Sequence, residues 1–174
     1  MNKVYRILNK IKYELVITLI FCVVILLDTI TKVLFDNKNY NFIDGFISIS
    51  SAHNTGGAYS IFSSHTLALI IVTIVFIAIM LIFNIFFKKK NYFYSISYGL
   101  VLSGALGNLF DRIFLGYVRD FIKLEFIDFP IFNIADCAIC VGVFLLAIFL
   151  LFFAGKKEVK TWVHLSLLMK KIRI

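Results

Sequence analysis

Long apolar runs alternate with short charged segments along this chain. Leu15 to Leu34 is apolar for 20 residues except at Asp28 and Lys32; Thr66 to Phe87 (22 residues) and Asn91 to Phe110 (20 residues) carry no charge; Phe129 to Ala154 (26 residues) carries one, Asp136. A helix rises about 1.5 Å per residue, so a hydrocarbon layer about 30 Å thick takes roughly 20 residues to cross. In that layer a single segment satisfies its backbone only as helix. The pattern predicts four transmembrane helices over about 15–34, 66–87, 91–110 and 129–154, an all-α membrane protein built as one integral membrane domain over 1–174.

Between the spans the period changes. In the segment from Phe35 to His65, Phe46, Ser48 and Ser50 alternate with Ile47 and Ile49, and Val118 to Glu125 in the segment Asp111 to Asp128 alternates apolar with charged. Period two marks strands, and both segments fall on the same side of the bundle, which predicts a small sheet there. The single proline, Pro130, marks the start of the fourth span.

Composition agrees and charge adds direction. With 61% hydrophobic residues, 16% charged and a mean hydropathy of +0.94, the chain lies outside the range of soluble domains. The net charge of +8 raises the question of nucleic acid, but 13 of the 18 basic residues lie before span one, in Lys88–Lys90 or after span four. Only Lys38, Arg112, Arg119 and Lys123 lie on the other side. The positive-inside rule puts both termini in the cytoplasm and makes topology, rather than nucleic acid, the reason for the charge. No small-residue cleavage site follows span one, so it reads as a retained helix. Cys22, Cys137 and Cys140 all lie inside apolar spans, which offers no disulfide framework and no zinc spacing.

The acids carry the candidate chemistry. Eight of ten lie at the outer level, and Asp28, Asp111 and Asp136 bring three different spans to similar depth. An ionisable group there costs about 2.5–3.5 kcal/mol at a helix centre and marks a partner or a function. Lys32, at i+4 from Asp28, permits an intrahelical ion pair, and a brace and a direct catalytic role both fit it. Asp111 and Asp136 follow small residues, which let helices approach closely, and each has an asparagine three positions earlier, Asn108 and Asn133. Two carboxylates held together share a proton, so one can activate water while the other protonates a carbonyl; the plainer reading is that both brace helices. The loop His53 to Ser60 contains Asn54 and the Gly56-Gly57 pair, a tight turn that can approach a substrate main chain.

Four blocks taken together resemble the lipoprotein signal peptidase (signal peptidase II) family: Asp28-x-x-x-Lys32, Asn54-x-Gly56-Gly57-Ala58, Gly104 to Arg112 continuing to Val118-Arg119-Asp120-Phe121, and Phe132-Asn133-x-Ala135-Asp136. The resemblance implies four transmembrane helices with a small extracytoplasmic β-cradle in the bacterial cytoplasmic membrane. It also implies cleavage before the diacylglyceryl-modified cysteine of prolipoproteins near the outer face, by a monomer in membrane lipid without metal, cofactor or nucleic acid. By the same resemblance Asp111 and Asp136 are the catalytic dyad, and Asn54, Gly56, Asn108, Arg112, Asn133 and Asp28 support it or bind substrate. Gly57, Tyr59, Arg119 and Cys137 depart from the residues common in the family.

Two other classes fit less well. A metal-dependent head-group transferase would use Asp111, Asp120, Asp128 and Asp136 as oxygen ligands, but these straddle an outer loop and the cytoplasmic side has no acidic cluster. A proton or ion path would need an acid in the inner half of spans two to four, and none is there. After span four, Trp162 to Ile174 mixes apolar and basic residues as a surface-lying helix does.

Overall fold

The computed structural model describes residues 3–57, 65–88 and 90–153. Ala58, Tyr59 and the expected surface helix over Trp162 to Ile174 lie outside the described residues. The elements run α1 (Lys3–Phe35), β1 (Asn39–Ile43), β2 (Ile47–Asn54), α2 (Thr66–Phe86), α3 (Tyr92–Leu115), β3 (Val118–Leu124) and α4 (Ile134–Phe152). All four helices are long and apolar enough to cross a membrane. Burial is inverted in three of them: residues such as Leu19, Val72 and Leu151 are 62%, 64% and 79% exposed, which is tolerable only against lipid.

The helix α3 is central and packs against the other three. Small residues make this possible. A Cβ on Gly104 would lie 2.4 Å from the Ala135 carbonyl oxygen, and one on Gly142 would lie 2.8 Å from Val101, so α3 and α4 touch backbone to backbone. At the other end an aromatic core of Tyr94, Tyr98, Phe87 and Phe149 fills the space around Ile17, Met80 and Val101. There Glu14 of α1 pairs with Lys90 and accepts from Asn84 of α2, which in turn accepts from the Tyr94 hydroxyl.

Three helix boundaries differ from the hydropathy reading. The first helix begins at Lys3, since polar residues before Leu15 continue the helix out of the apolar layer. The last begins at Ile134 rather than Phe129: Asn133 caps it, and the residues after Pro130 run extended, with Phe132 exchanging backbone bonds with Ile122 of β3. The third helix continues to Leu115 and ends at Gly116, whose φ of 83° turns the chain back toward β3.

The expected sheet is present. It is antiparallel, ordered β1-β2-β3, with β2 at its centre pairing Ile47 with Leu124 and Asn54 with Val118. The strand β1 was not expected; it adds an edge through Asn39 opposite Ser50. Because β1 and β2 follow α1 and β3 follows α3, the sheet sits over one end of the bundle, and His53 Nε2 of β2 lies 2.9 Å from Oδ1 of Asp36, the residue just after α1.

Candidate active site

Where the sheet meets α3 and α4, the buried polar residues Asp28, Lys32, Asn108, Asp111, Asp120 and Asn133 collect within one network. From the first helix, Lys32 Nζ reaches Asp28 Oδ2 at 2.8 Å, the i+4 pair that the spacing predicts. Asp28 Oδ1 accepts the Ala135 N–H at 2.9 Å, tying α1 to the first turn of α4. Asp28 and Lys32 therefore form a brace between helices as well as within one.

The fourth helix opens on a reciprocal cap. The Asn133 side-chain oxygen accepts the Asp136 N–H at 2.9 Å, and Asp136 Oδ2 accepts the Asn133 N–H at 3.1 Å. Asp136 Oδ1 accepts from Asn108 Nδ2 at 2.7 Å. Both asparagines thus serve Asp136, whereas the repeated spacing had paired Asn108 with Asp111.

Asp111 takes a different place from the one expected. Arg119 donates to it through Nη2 at 2.7 Å, through Nε at 3.3 Å and through its backbone N–H at 3.0 Å, while Lys32 stands 3.5 Å away. This fork links the end of α3 to β3, and it holds the Arg119 guanidinium more firmly protonated than usual. Asp111 is not among the residues that line the adjoining cavity.

The acid that does share a cavity wall with Asp136 is Asp120. The cavity holds about 490 Å³; Asn54, Asn108, Arg112, Asp120 and Asp136 are its main polar groups, set in a wall that includes Val118, Phe129, Pro130, Ile131, Phe132, Ile139 and Val141. Asp120 Oδ1 accepts from Asn133 Nδ2 at 2.6 Å and Oδ2 from Asn54 Nδ2 at 2.9 Å. Asn133 is therefore a single residue bonded to both acids. Burial pushes the Asp120 carboxyl up to about 6; Asn54 and Asn133 pull it down, and the nearby Asp136 charge adds to the rise. The signal that would have found Asp120 is strand parity: Val118 and Asp120 lie two apart, on one buried face of β3.

The remaining expected residues surround this cavity. Asn54 turns its oxygen to the Gly56 N–H at 2.9 Å, forming the tight turn anticipated there, and Arg112 Nη2 holds the Gly56 carbonyl at 2.9 Å. The Nε of Arg112 is buried without a hydrogen-bond partner. Cys137 and Cys140 also line the wall, and all three cysteines are free.

Comparison with known proteins places this arrangement. The sequence profile of the family described as Signal peptidase (SPase) II matches residues 20–152, from the first span through the fourth. The chain belongs to the signal peptidase II family. The lipoprotein signal peptidase of Clostridium acetobutylicum is 37% identical over 150 residues, 82% of this chain and 97% of that protein. That of Staphylococcus haemolyticus is 37% identical over 157 residues, 86% of this chain and 99% of that protein. A bacterial membrane enzyme solved by the in meso method superposes with a TM-score of 0.73 at 35% identity, covering 78% of this chain and 87% of its own. Signal peptidase II enzymes are membrane aspartic peptidases that cleave prolipoprotein signal peptides, and the fold described above is shared with the solved bacterial membrane enzyme.

Proposed function

We propose that this signal peptidase II hydrolyses the peptide bond before the diacylglyceryl-modified cysteine of prolipoproteins, and that Asp120 and Asp136, rather than Asp111 and Asp136, are its acid pair. The observation that carries the reading is that Asp120 and Asp136 line one cavity and are bridged by Asn133. Asp111 is committed to Arg119 and Lys32 instead, which makes it the anchor of β3.

The chemistry follows from the two environments. Asp120, with its carboxyl pushed up to about 6, holds a proton near neutrality more readily than an exposed aspartate and acts as the acid. Asp136, oriented by the Asn108 amide and the Asn133 backbone, takes a proton from water. Water oxygen attacks the scissile carbonyl carbon, Asp120 protonates the carbonyl oxygen, and a tetrahedral diol forms. Asp136 then passes the proton it took from water to the departing cysteine nitrogen, the C–N bond breaks and Asp120 takes a proton back from the diol, leaving a carboxyl on the signal peptide and an amine on the lipoprotein. Arg112 and the Gly56 turn hold the substrate main chain, and the apolar wall receives its hydrophobic segment.

The positive-inside distribution supports an orientation with both termini cytoplasmic and the cavity at the outer face of the bacterial cytoplasmic membrane. The substrate's acyl chains then stay in the outer leaflet while its signal helix spans the bilayer, and the shared membrane aligns bond and acids. The proposed catalytic unit is a monomer.

The test is cleavage of a purified diacylglyceryl-modified prolipoprotein and its unmodified form. Asp120→Asn and Asp136→Asn should each lose at least about 100-fold in kcat, within the range for a positioned general acid or base. Asp111→Asn should keep measurable turnover. Full loss in Asp111→Asn with retained turnover in Asp120→Asn would restore the Asp111 pairing, and equal cleavage of both substrate forms would overturn the lipid-specific reading.

A further inference from the structure

Lys32 is a buried cation, 1% exposed, and its ammonium has three acceptors within reach. These are Asp28 Oδ2 at 2.8 Å, Asn108 Oδ1 at 3.0 Å and Asp111 Oδ2 at 3.5 Å. The middle contact bears on the reaction. A primary amide has an accepting end and a donating end, and which way it faces is decided by its neighbours. Asn108 Oδ1 is held by Lys32 and also by Asn133 Nδ2 at 3.2 Å, so its Nδ2 is turned onto Asp136 Oδ1 at 2.7 Å. Flipping that amide would set its NH2 against two donors and its oxygen against a carboxylate, each an unpaired buried contact.

Lys32 is itself locked. The carboxylate of Asp28 lies so close to α3 that a Cβ on Gly107 would come within 2.7 Å of Asp28 Oδ2, and the other oxygen holds the Ala135 N–H. The ammonium is therefore fixed between α1 and α3, with α4 tied in through Asp28, and one of its three contacts is the accepting end of the Asn108 amide.

We propose that Lys32 is a positioning residue of the hydrolysis: it fixes the orientation of the Asn108 amide and, through that amide, the Asp136 carboxylate. This rests on the reading of Asp136 as a member of the acid pair. A brace alone would stabilise the bundle without acting through Asn108.

A double-mutant cycle separates the two roles. Lys32→Met and Asn108→Ala should each lower kcat about 10- to 100-fold, the size seen when the group that orients a reacting side chain is lost, with KM within about threefold. If Lys32 acts through Asn108, the double variant is no slower than Asn108→Ala alone, because the path is already cut. Multiplying kcat losses, or a Lys32→Met variant that loses thermal stability while keeping kcat, would overturn the proposal. Where the methionine variant does not insert, Lys32→Gln carries the same cycle with the same two outcomes, since it keeps an N–H for the buried acceptors. Asp136→Asn is measured alongside: turnover retained there sinks the reading of the acid pair, whereas a dead Asp136→Asn with a multiplicative cycle sinks only the role of Lys32.

Discussion

Gly104→Ala adds a methyl group where α3 and α4 meet, and the outcome can be worked from distances. The new Cβ would stand 2.4 Å from the Ala135 carbonyl oxygen and 2.7 Å from Ile139 Cγ1, against 3.4–4 Å for an ordinary contact. Ile139 can rotate, but Ala135 is backbone, so the helices must part by about 1 Å at that point. Overpacking of this kind costs about 1–3 kcal/mol. The displaced residue adjoins Asp136, and a misplacement of about 1 Å at a reacting group can cost roughly 100-fold in rate. Thermal unfolding in detergent should show a Tm lower by several degrees, and turnover of lipid-modified prolipoprotein should fall in kcat far more than KM rises. Gly99→Ala is the control: its Cβ meets the Ile20 side chain at 3.1 Å and the Ile17 carbonyl oxygen at 3.2 Å, a misfit of a few tenths of an ångström at the α1 contact. It should leave kcat within about twofold, since nothing it displaces adjoins the acids. A Gly104→Ala enzyme with unchanged Tm and kcat, or a Gly99→Ala enzyme as slow as Gly104→Ala, would refute the claim that this contact sets the position of Asp136.

Further outcomes follow from the same geometry. The Asp120 carboxyl rises from an ordinary 3.8 to about 6 in the folded protein, so its contribution to stability is fully present below about pH 4 and is lost as pH rises through 6; about two pH units correspond to roughly 3 kcal/mol. The Tm measured from pH 4.5 to 7.5 should therefore carry a downward component that Asp120→Ala removes, and an unaltered slope in that variant contradicts it. Asp111→Asn breaks the fork to Arg119, which is 17% exposed, and should cost about 2 kcal/mol in chemical denaturation. Asn133→Ser keeps a capping oxygen for α4 but leaves the buried Asp120 and Asn108 acceptors without its Nδ2 donor, so stability should fall by about 1–3 kcal/mol and kcat should fall with it. Turnover in excess chelator should match that in buffer, since the acids are paired with amides and cations; a metal-restored activity would reverse this.

The spans and the sheet were legible because each rests on a period that the chain displays: unbroken apolar runs for helices in lipid, alternation for β2 and β3. The edge strand β1 escaped although Asn39-Tyr40-Asn41-Phe42 alternates polar with aromatic, because it runs for only five residues and is exposed throughout, so no buried face marks it. The site was legible as a neighbourhood rather than as a pairing. Asn108-x-x-Asp111 and Asn133-x-x-Asp136 look alike as strings, yet Asn133 precedes a helix as its cap and Asn108 lies inside one, so the same spacing aims the side chains differently. Whether Asp111 faced the cavity depended on Arg119, eight residues away, and on the reversal at Gly116 that brings it back. Strand parity at Asp120, and its place in the family-like block Val118-Arg119-Asp120-Phe121, were the signals for the alternative. The polar join of Glu14, Asn84, Lys90 and Tyr94 likewise brings together residues too far apart in sequence for any local pattern to show.

The cap at Asn133 also acts as a ruler. The acid Asp136 stands in the first turn of a helix of 19 residues, about 28 Å long, close to the thickness of the hydrocarbon layer. On the proposed assignment of Asp136 as one of the acids, the depth at which a bond is cut is referred to the far surface of the membrane. Under that assignment a helical substrate segment lengthened or shortened by one residue shifts its bond by about 1.5 Å against this mark, which would make the length of the signal sequence part of what the enzyme reads.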